Sequence, residues 1–194
     1  MKKCIKYFVV LSLMLCLCGC NNKSNTSNNN QEMYIKPSEF SKETLDVLKI
    51  FDNEIMFYDI SINESVKSTK ISMWTYHDGV WHEEGKIYGG PDLPVDRYAI
   101  RLKDKSFELY SINEDGFSKS AYDNLKTEFD KTTSKHGSRL NEKHEIKLNE
   151  EVVLWYIIGS NSTSFTLSDN IDFRDYECET GIAITLTVSD KITE

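Results

Sequence analysis

Cysteine is scarce where it would matter for a fold: of the five in this 194-residue chain, four stand at positions 4, 16, 18 and 20, and only Cys178 follows. No internal disulfide can therefore form after residue 20, and stability there must come from a packed core or a bound metal. A lone thiol with no flanking motif reads as a buried, unreactive side chain and not as a nucleophile. Long apolar runs are also missing. The longest early one, residues 7–17, falls short of the roughly 20 residues that a membrane-spanning helix needs. Positive charge is in deficit, with 23 Lys and Arg against 31 Asp and Glu for a net charge of −8. That balance argues against nucleic acid and anionic polymers as partners and fits solubility or cation binding.

Catalytic signatures are absent as well. There is no Gly-x-Ser-x-Gly elbow and no ordered triad. There is no His-Glu-x-x-His helix, and Gly89-Gly90-Pro91 lacks the Lys-Ser/Thr and helix start of a phosphate cradle. With 31 acids, no single carboxylate pair stands out for acid-base work. These absences lower the expectation of an enzyme, and no cofactor is implied.

The first twenty residues are the most informative segment. Lys2, Lys3 and Lys6 make a positive start, an apolar stretch follows, and Leu17-Cys18-Gly19-Cys20 closes it. The charged start and short apolar region predict a signal peptide over 1–20. A Leu three places and a Gly one place before a Cys resemble the lipobox of bacterial lipoproteins. That resemblance implies diacylglyceryl attachment to the Cys20 thiol and cleavage to make Cys20 the first mature residue. Two acyl chains suffice for stable anchoring where one does not. Removing the three signal lysines leaves 20 bases against 31 acids. Residues 21–30 contain only Asn, Ser, Thr and Lys, a composition that cannot bury apolar surface. We expect a disordered tether over 21–36 with a root-mean-square span on the order of 20 Å.

Residues 37–194 are one domain's worth of chain. Pro37-Ser38-Glu39 predicts the start of a short helix, with Ser38 or Ser41 as its cap and Phe40, Leu45, Leu48 and Phe51 forming an apolar stripe. From position 54 the period changes to two: Met56, Tyr58, Ile60 and Ile62 alternate with Phe57, Asp59, Ser61 and Asn63. The same alternation marks Tyr98-Ile100-Leu102, His144-Ile146-Leu148 and Ile182-Ile184-Leu186-Val188, so these are expected to be half-buried antiparallel strands. The unbroken apolar run 152–158 predicts a strand covered on both faces. Asp78-Gly79 predicts a two-residue hairpin turn, and 103–106 a second. Residues 118–141 carry a weak helical stripe at Tyr122, Leu125 and Phe129 beside polar loop-like sequence around Gly137, and some element is expected there. The fold class expected is mainly β: an antiparallel β-sandwich of seven or eight strands with one short N-terminal helix.

Candidate sites gather on the Asp78-Gly79 hairpin. Opposite pairing places Tyr76 against Trp81, with Trp74 on the same face. Such a surface can stack on sugar rings, or it can cover a second apolar layer as large aromatics usually do. On the other face His77 and His82 are diagonal neighbours followed by Glu83 and Glu84, the nearest approach to a metal constellation, although a full zinc ligand set cannot be named. Asp169, Asp172, Asp175, Glu177 and Glu179 concentrate negative charge without the spacing of a calcium loop.

Taken together, the lipobox, the polar tether, "DNEIMFYDIS", "KSTKISMWTYHDGVW" and "YECETGIAITLTVSD" resemble small surface lipoproteins of clostridia and related low-GC Gram-positive bacteria. The resemblance covers most of 41–190 and rests on structural motifs, so it carries over no catalytic residues. It strengthens the expectation of a β-sandwich and weakens that of an enzyme. With the lipobox, we expect a lipid-anchored protein on the outer face of the cell membrane, acting as a non-enzymatic binding module for a glycan or protein partner. The alternatives are an extracellular hydrolase of glycan or peptidoglycan, and an accessory or structural envelope protein.

Overall fold

The computed structural model describes residues 32–50, 55–90, 95–103, 105–162 and 172–192. The lipobox segment lies outside these. In chain order the elements are β1 (Tyr34–Pro37), α1 (Lys42–Ile50), β2 (Ile55–Ser61), β3 (Ser68–His77), β4 (Val80–Gly89), β5 (Arg97–Lys103), β6 (Ser106–Asn113), β7 (Gly116–Asp123), β8 (Ser134–Arg139), β9 (His144–Glu145), β10 (Glu151–Ser160) and β11 (Thr180–Ser189), with 3-10 turns at Phe129–Lys131 and Phe173–Asp175.

Two antiparallel sheets make a β-sandwich, one ordered β7-β6-β5-β2-β1-β9 and the other β4-β3-β11-β10-β8. Period-two alternation builds it. Ile182, Ile184, Leu186 and Val188 of β11 are all fully buried, and they face Tyr58, Tyr98, Ile100, Phe107 and Leu109 of the other sheet within one core cluster. Burying each such side chain contributes on the order of 1.5–3 kcal/mol, which makes this inner layer the main source of stability. The hairpin turn has φ of 54° at Asp78 and 83° at Gly79, the left-handed backbone that selects Asp-Gly. Lys103 pairs with Ser106, the second hairpin expected.

Several expectations are corrected. Tyr34–Pro37 pairs with both β2 and β9, so residues 32–36, expected in the tether, belong to the folded domain. Ile35 explains this, because it is fully buried. The helix begins at Lys42 and not at Pro37: Ser41 Oγ accepts the Thr44 N–H at 3.3 Å, while Ser38 donates its hydroxyl to Asp59 at 2.7 Å. Its apolar stripe is not packed, since α1 has no buried residue and Leu45, Val47 and Ile50 are exposed. Phe40 instead packs edge-on against Phe57 with centroids 5.1 Å apart, and Phe51 lies outside the described residues. Residues 118–141 hold no α-helix. Their first part is β7, paired with β6 along its length, and β8 pairs with β10. Leu125 and Phe129 are buried from loop and 3-10 backbone. Pairing at 144–148 is limited to His144 and Glu145, although Ile146 is buried. The described residues thus hold more strands than the seven or eight expected.

β10 lies inside its sheet between β11 and β8. A register shift between Val153 and Trp155 makes Leu154 a bulge, and Leu154 and Trp155 both join the inter-sheet core. Tyr156 and Ile158 belong to a second cluster, so the strand is covered on both faces.

Candidate functional site

The β3–β4 hairpin pairs Tyr76 with Trp81, Thr75 with His82, Trp74 with Glu83 and Met73 with Gly85, leaving Glu84 as a bulge residue. Trp74, Tyr76 and Trp81 therefore share a face, with Tyr76 and Trp81 centroids 5.5 Å apart. That face is not an open platform. The turn at Phe173–Asp175 lays the fully buried Phe173 edge-on against Trp81, with centroids 4.7 Å apart and planes at 82°, and 6.2 Å from the Trp74 ring. The Arg174 guanidinium lies 4.3 Å above Trp74, fixed by Glu151 at 2.8 Å and Asp172 at 3.1 Å. Trp74 donates its indole N–H to Thr185 at 3.1 Å. Trp81 lies over Gly181, where a Cβ would stand 2.5 Å from its Cη2. With Tyr156, Ile158, Tyr176 and Ala183, Phe173 forms a second apolar core on the outside of the sheet, and Trp74 and Trp81 pack against it. Trp74 and Trp81 thus spend part of their faces on Phe173 and Arg174, as large aromatics usually do, while all three rings stay half-buried.

Two of the neighbouring acids have structural partners. Asp172 accepts the Arg174 N–H at 3.0 Å and caps the turn; Glu179 accepts the Asn161 N–H at 2.9 Å. Asp169 lies outside the described residues. Cys178 packs against the second core, and burial pushes its thiol up to about 12, which makes it a poor nucleophile at neutral pH.

On the opposite face His77 and His82 stack with centroids 4.0 Å apart and planes only 8° from parallel. His77 Nδ1 meets Asp78 at 3.0 Å and Nε2 meets Glu84 at 2.8 Å; the Glu84 hydrogen bond is the main reason its pKa is raised. A proton on each nitrogen suits these contacts, and a metal ligand needs a bare one. Among the described residues no group of three or more His, Cys, Asp or Glu side chains is placed to hold a metal ion. The metal expectation for His77 and His82 gains no support from this geometry, since stacked rings do not converge their nitrogens on one point.

Open space lies further along β4. The Tyr122 ring crosses from β7 to cover Gly85, where a Cβ would stand 2.7 Å from Cζ, and Tyr122 donates its hydroxyl to the Lys86 carbonyl at 3.2 Å. Beyond this contact the edges of the two sheets enclose a cleft of about 330 Å³ lined by Ile71, Ile87, Val95, Tyr98 and Leu109, with Ser111, Asn113, Asp115, Ser118 and Ser120 adding polar atoms. Ile71, Tyr98 and Leu109 are buried, whereas Tyr88 and Phe117 of the same lining are exposed, so the latter mark its mouth. A second space of about 390 Å³ shares Val95 and Tyr98 with it. Sequence reasoning missed this site because its lining comes from separate strands. The serines at 111, 118 and 120 were its one trace, small polar residues where sheet edges would otherwise meet through bulk.

Compared with protein-family models, with curated proteins and with solved structures, the chain matches none.

Proposed function

We propose that this chain is a lipoprotein tethered through Cys20 to the outer face of the cell membrane, and that its β-sandwich works there as a non-enzymatic binding module. The observation that carries the reading is Leu17-Cys18-Gly19-Cys20 at the end of a short apolar segment with a lysine-rich start. Thirteen residues separate Cys20 from Tyr34. Even fully extended at roughly 3.3–3.6 Å per residue they keep the sandwich within a few tens of ångströms of the bilayer.

The side chains that could have done chemistry are engaged otherwise. His77 is held between two carboxylates, the Cys178 thiol stays protonated, and Asp172 and Glu179 cap backbone. The cleft between β4 and β7 supports binding, because an apolar enclosure with a few polar groups is the usual form of a small-molecule site.

Mass spectrometry of the membrane-extracted protein tests the anchor. The reading expects a mature chain starting at a diacylglyceryl-modified Cys20, and Cys20→Ala should release the protein from membranes or leave its precursor uncut. An unmodified Cys20 would overturn it.

A further inference from the structure

Between the β4–β7 cleft and the neighbouring space of about 390 Å³ stands a hydroxyl pair: Tyr98 lines both, and Thr69 lines the neighbouring space. Tyr98, 2% exposed, reaches across from β5 so that its hydroxyl stands 3.3 Å from Thr69 Oγ1. Gly89 makes room for the meeting, since a Cβ there would lie 2.5 Å from that same Oγ1. Each hydroxyl has one proton to donate and two lone pairs to accept with. One bond between them leaves a donor and several acceptors unused beside Ile71, Ile87 and Leu109. Burial holds the Tyr98 pKa above its ordinary value, so the phenol stays neutral.

Charge decides what could enter. Among the described residues of the cleft lining the one formally charged side chain is Asp115, which is exposed at the β6–β7 turn; Glu64 and Lys67 line the neighbouring space. An ionised group pushed to the floor would meet no counter-charge, and burying it uncompensated is strongly unfavourable. A neutral hydroxyl suits the pair, because it can donate to one oxygen and accept from the other. The volume of about 330 Å³ is at the small end of the roughly 300–1,000 Å³ typical of ligand sites.

We propose that this cleft binds a small uncharged molecule with an apolar body and one hydroxyl group, the body lying among Ile71, Ile87 and Leu109 and the hydroxyl meeting that of Tyr98, which Thr69 holds from the neighbouring space. The inference rests on the reading of the domain as a binding module and is independent of how the chain is anchored.

The test uses the full-length protein in phospholipid nanodiscs, with isoleucine methyl groups labelled for NMR and benzyl alcohol as the probe. Saturable shifts are expected at Ile71 and Ile87 and none at Ile35, which lies on β1. Benzoate and benzylamine, the same body with a charged head, should leave Ile71 and Ile87 unmoved. Tyr98→Phe should weaken benzyl alcohol about two- to tenfold, the loss of one neutral hydrogen bond, and leave the binding of toluene unchanged. Thr69→Val provides a second variant with the same selective loss, and Ser120→Leu should exclude both probes by filling the cleft. The methyl spectrum itself reports whether each variant is folded. Absence of shifts at Ile71 and Ile87, equal binding of benzoate, or full benzyl alcohol affinity in both hydroxyl variants would overturn the proposal. A protein correctly lipidated on Cys20 that ignores benzyl alcohol would lose this inference and keep its anchor.

Discussion

Tyr58 donates its hydroxyl to the carbonyl of Leu154 at 2.9 Å, a buried hydrogen bond that ties one sheet to the other. Leu154 is the bulge residue of β10, and its carbonyl also accepts the Leu140 N–H at 2.9 Å. A bulge leaves the local ladder disrupted, and here the released carbonyl points to partners outside its own strand pair. Burial pushes the Tyr58 phenol far above its ordinary value, so it remains a donor throughout the pH range in which the protein would be handled.

Removing this hydroxyl tests the tie. Tyr58→Phe should lower unfolding free energy by about 0.5–1.5 kcal/mol, the net worth of one neutral hydrogen bond, with an unchanged denaturant slope. Truncation to alanine adds the loss of a fully buried ring and should cost about 3–5 kcal/mol. Urea titration checks both, and a Phe variant as stable as the parent would show that the Leu140 N–H alone satisfies the carbonyl.

Phe173 provides a second test, aimed at the outer core. It is fully buried between Trp74 and Trp81, so Phe173→Ala should cost about 3–5 kcal/mol. The variant should also show red-shifted tryptophan emission and a diminished near-ultraviolet circular dichroism signal. Unchanged emission and stability would mean that the aromatic layer does not depend on its plug.

The His77–Glu84 pair predicts a pH signature. Hydrogen bonding to Glu84, then to Asp78, raises His77 above 6.5 against desolvation and the nearby Lys126. The stability it contributes is therefore complete below 6.5 and lost as pH rises through its folded value. Hydrogen bonding to His77, aided by Thr75, lowers Glu84 below 4.5. Its contribution is complete above 4.5 and lost as pH falls through its folded value. The two overlap between 4.5 and 6.5, so the destabilisation by Glu84→Gln should be greatest near pH ~5.5 and shrink on either side. Denaturation of parent and variant across pH 4–9 measures this, and a penalty independent of pH would remove the ion pair from the account.

Much of the architecture was legible because strands announce themselves by period. Ile182, Ile184, Leu186 and Val188 share one face of their strand by period alone, although the strand expected to be half-buried is covered on its other face too, at Ala183 and Thr185, and Asp78-Gly79 could hardly be anything but a tight hairpin. Tyr76 against Trp81, and His77 stacked on His82, follow from counting residues back from that turn. The count stays true there because the bulge at Glu84 lies beyond both pairs. Around α1 the same style of reading failed. Its stripe of Leu45 and Leu48 looks amphipathic, yet no element of the described chain comes to cover it. The weak helical pattern at Tyr122, Leu125 and Phe129 was misleading in another way: Tyr122 belongs to a strand and reaches across to Gly85, and Leu125 and Phe129 are buried from irregular backbone.

What the sequence determined by itself is local: the alternation that makes strands, the Asp-Gly turn, and the lipobox-like segment around Cys20, whose meaning depends on neighbours within a few residues. Only the tertiary structure decided which aromatic face was free. Trp74, Tyr76 and Trp81 shared a face in either case, but how much of Trp74 and Trp81 met solvent depended on Phe173 and Arg174 returning from far along the chain to pack on them. The cleft was likewise invisible, since Ile71, Gly89 and Tyr98 come together only when β3, β4 and β5 are brought into two sheets. Periodicity fixes the face on which a side chain stands; what stands opposite is set by packing between distant segments, where the free energy of burial is collected.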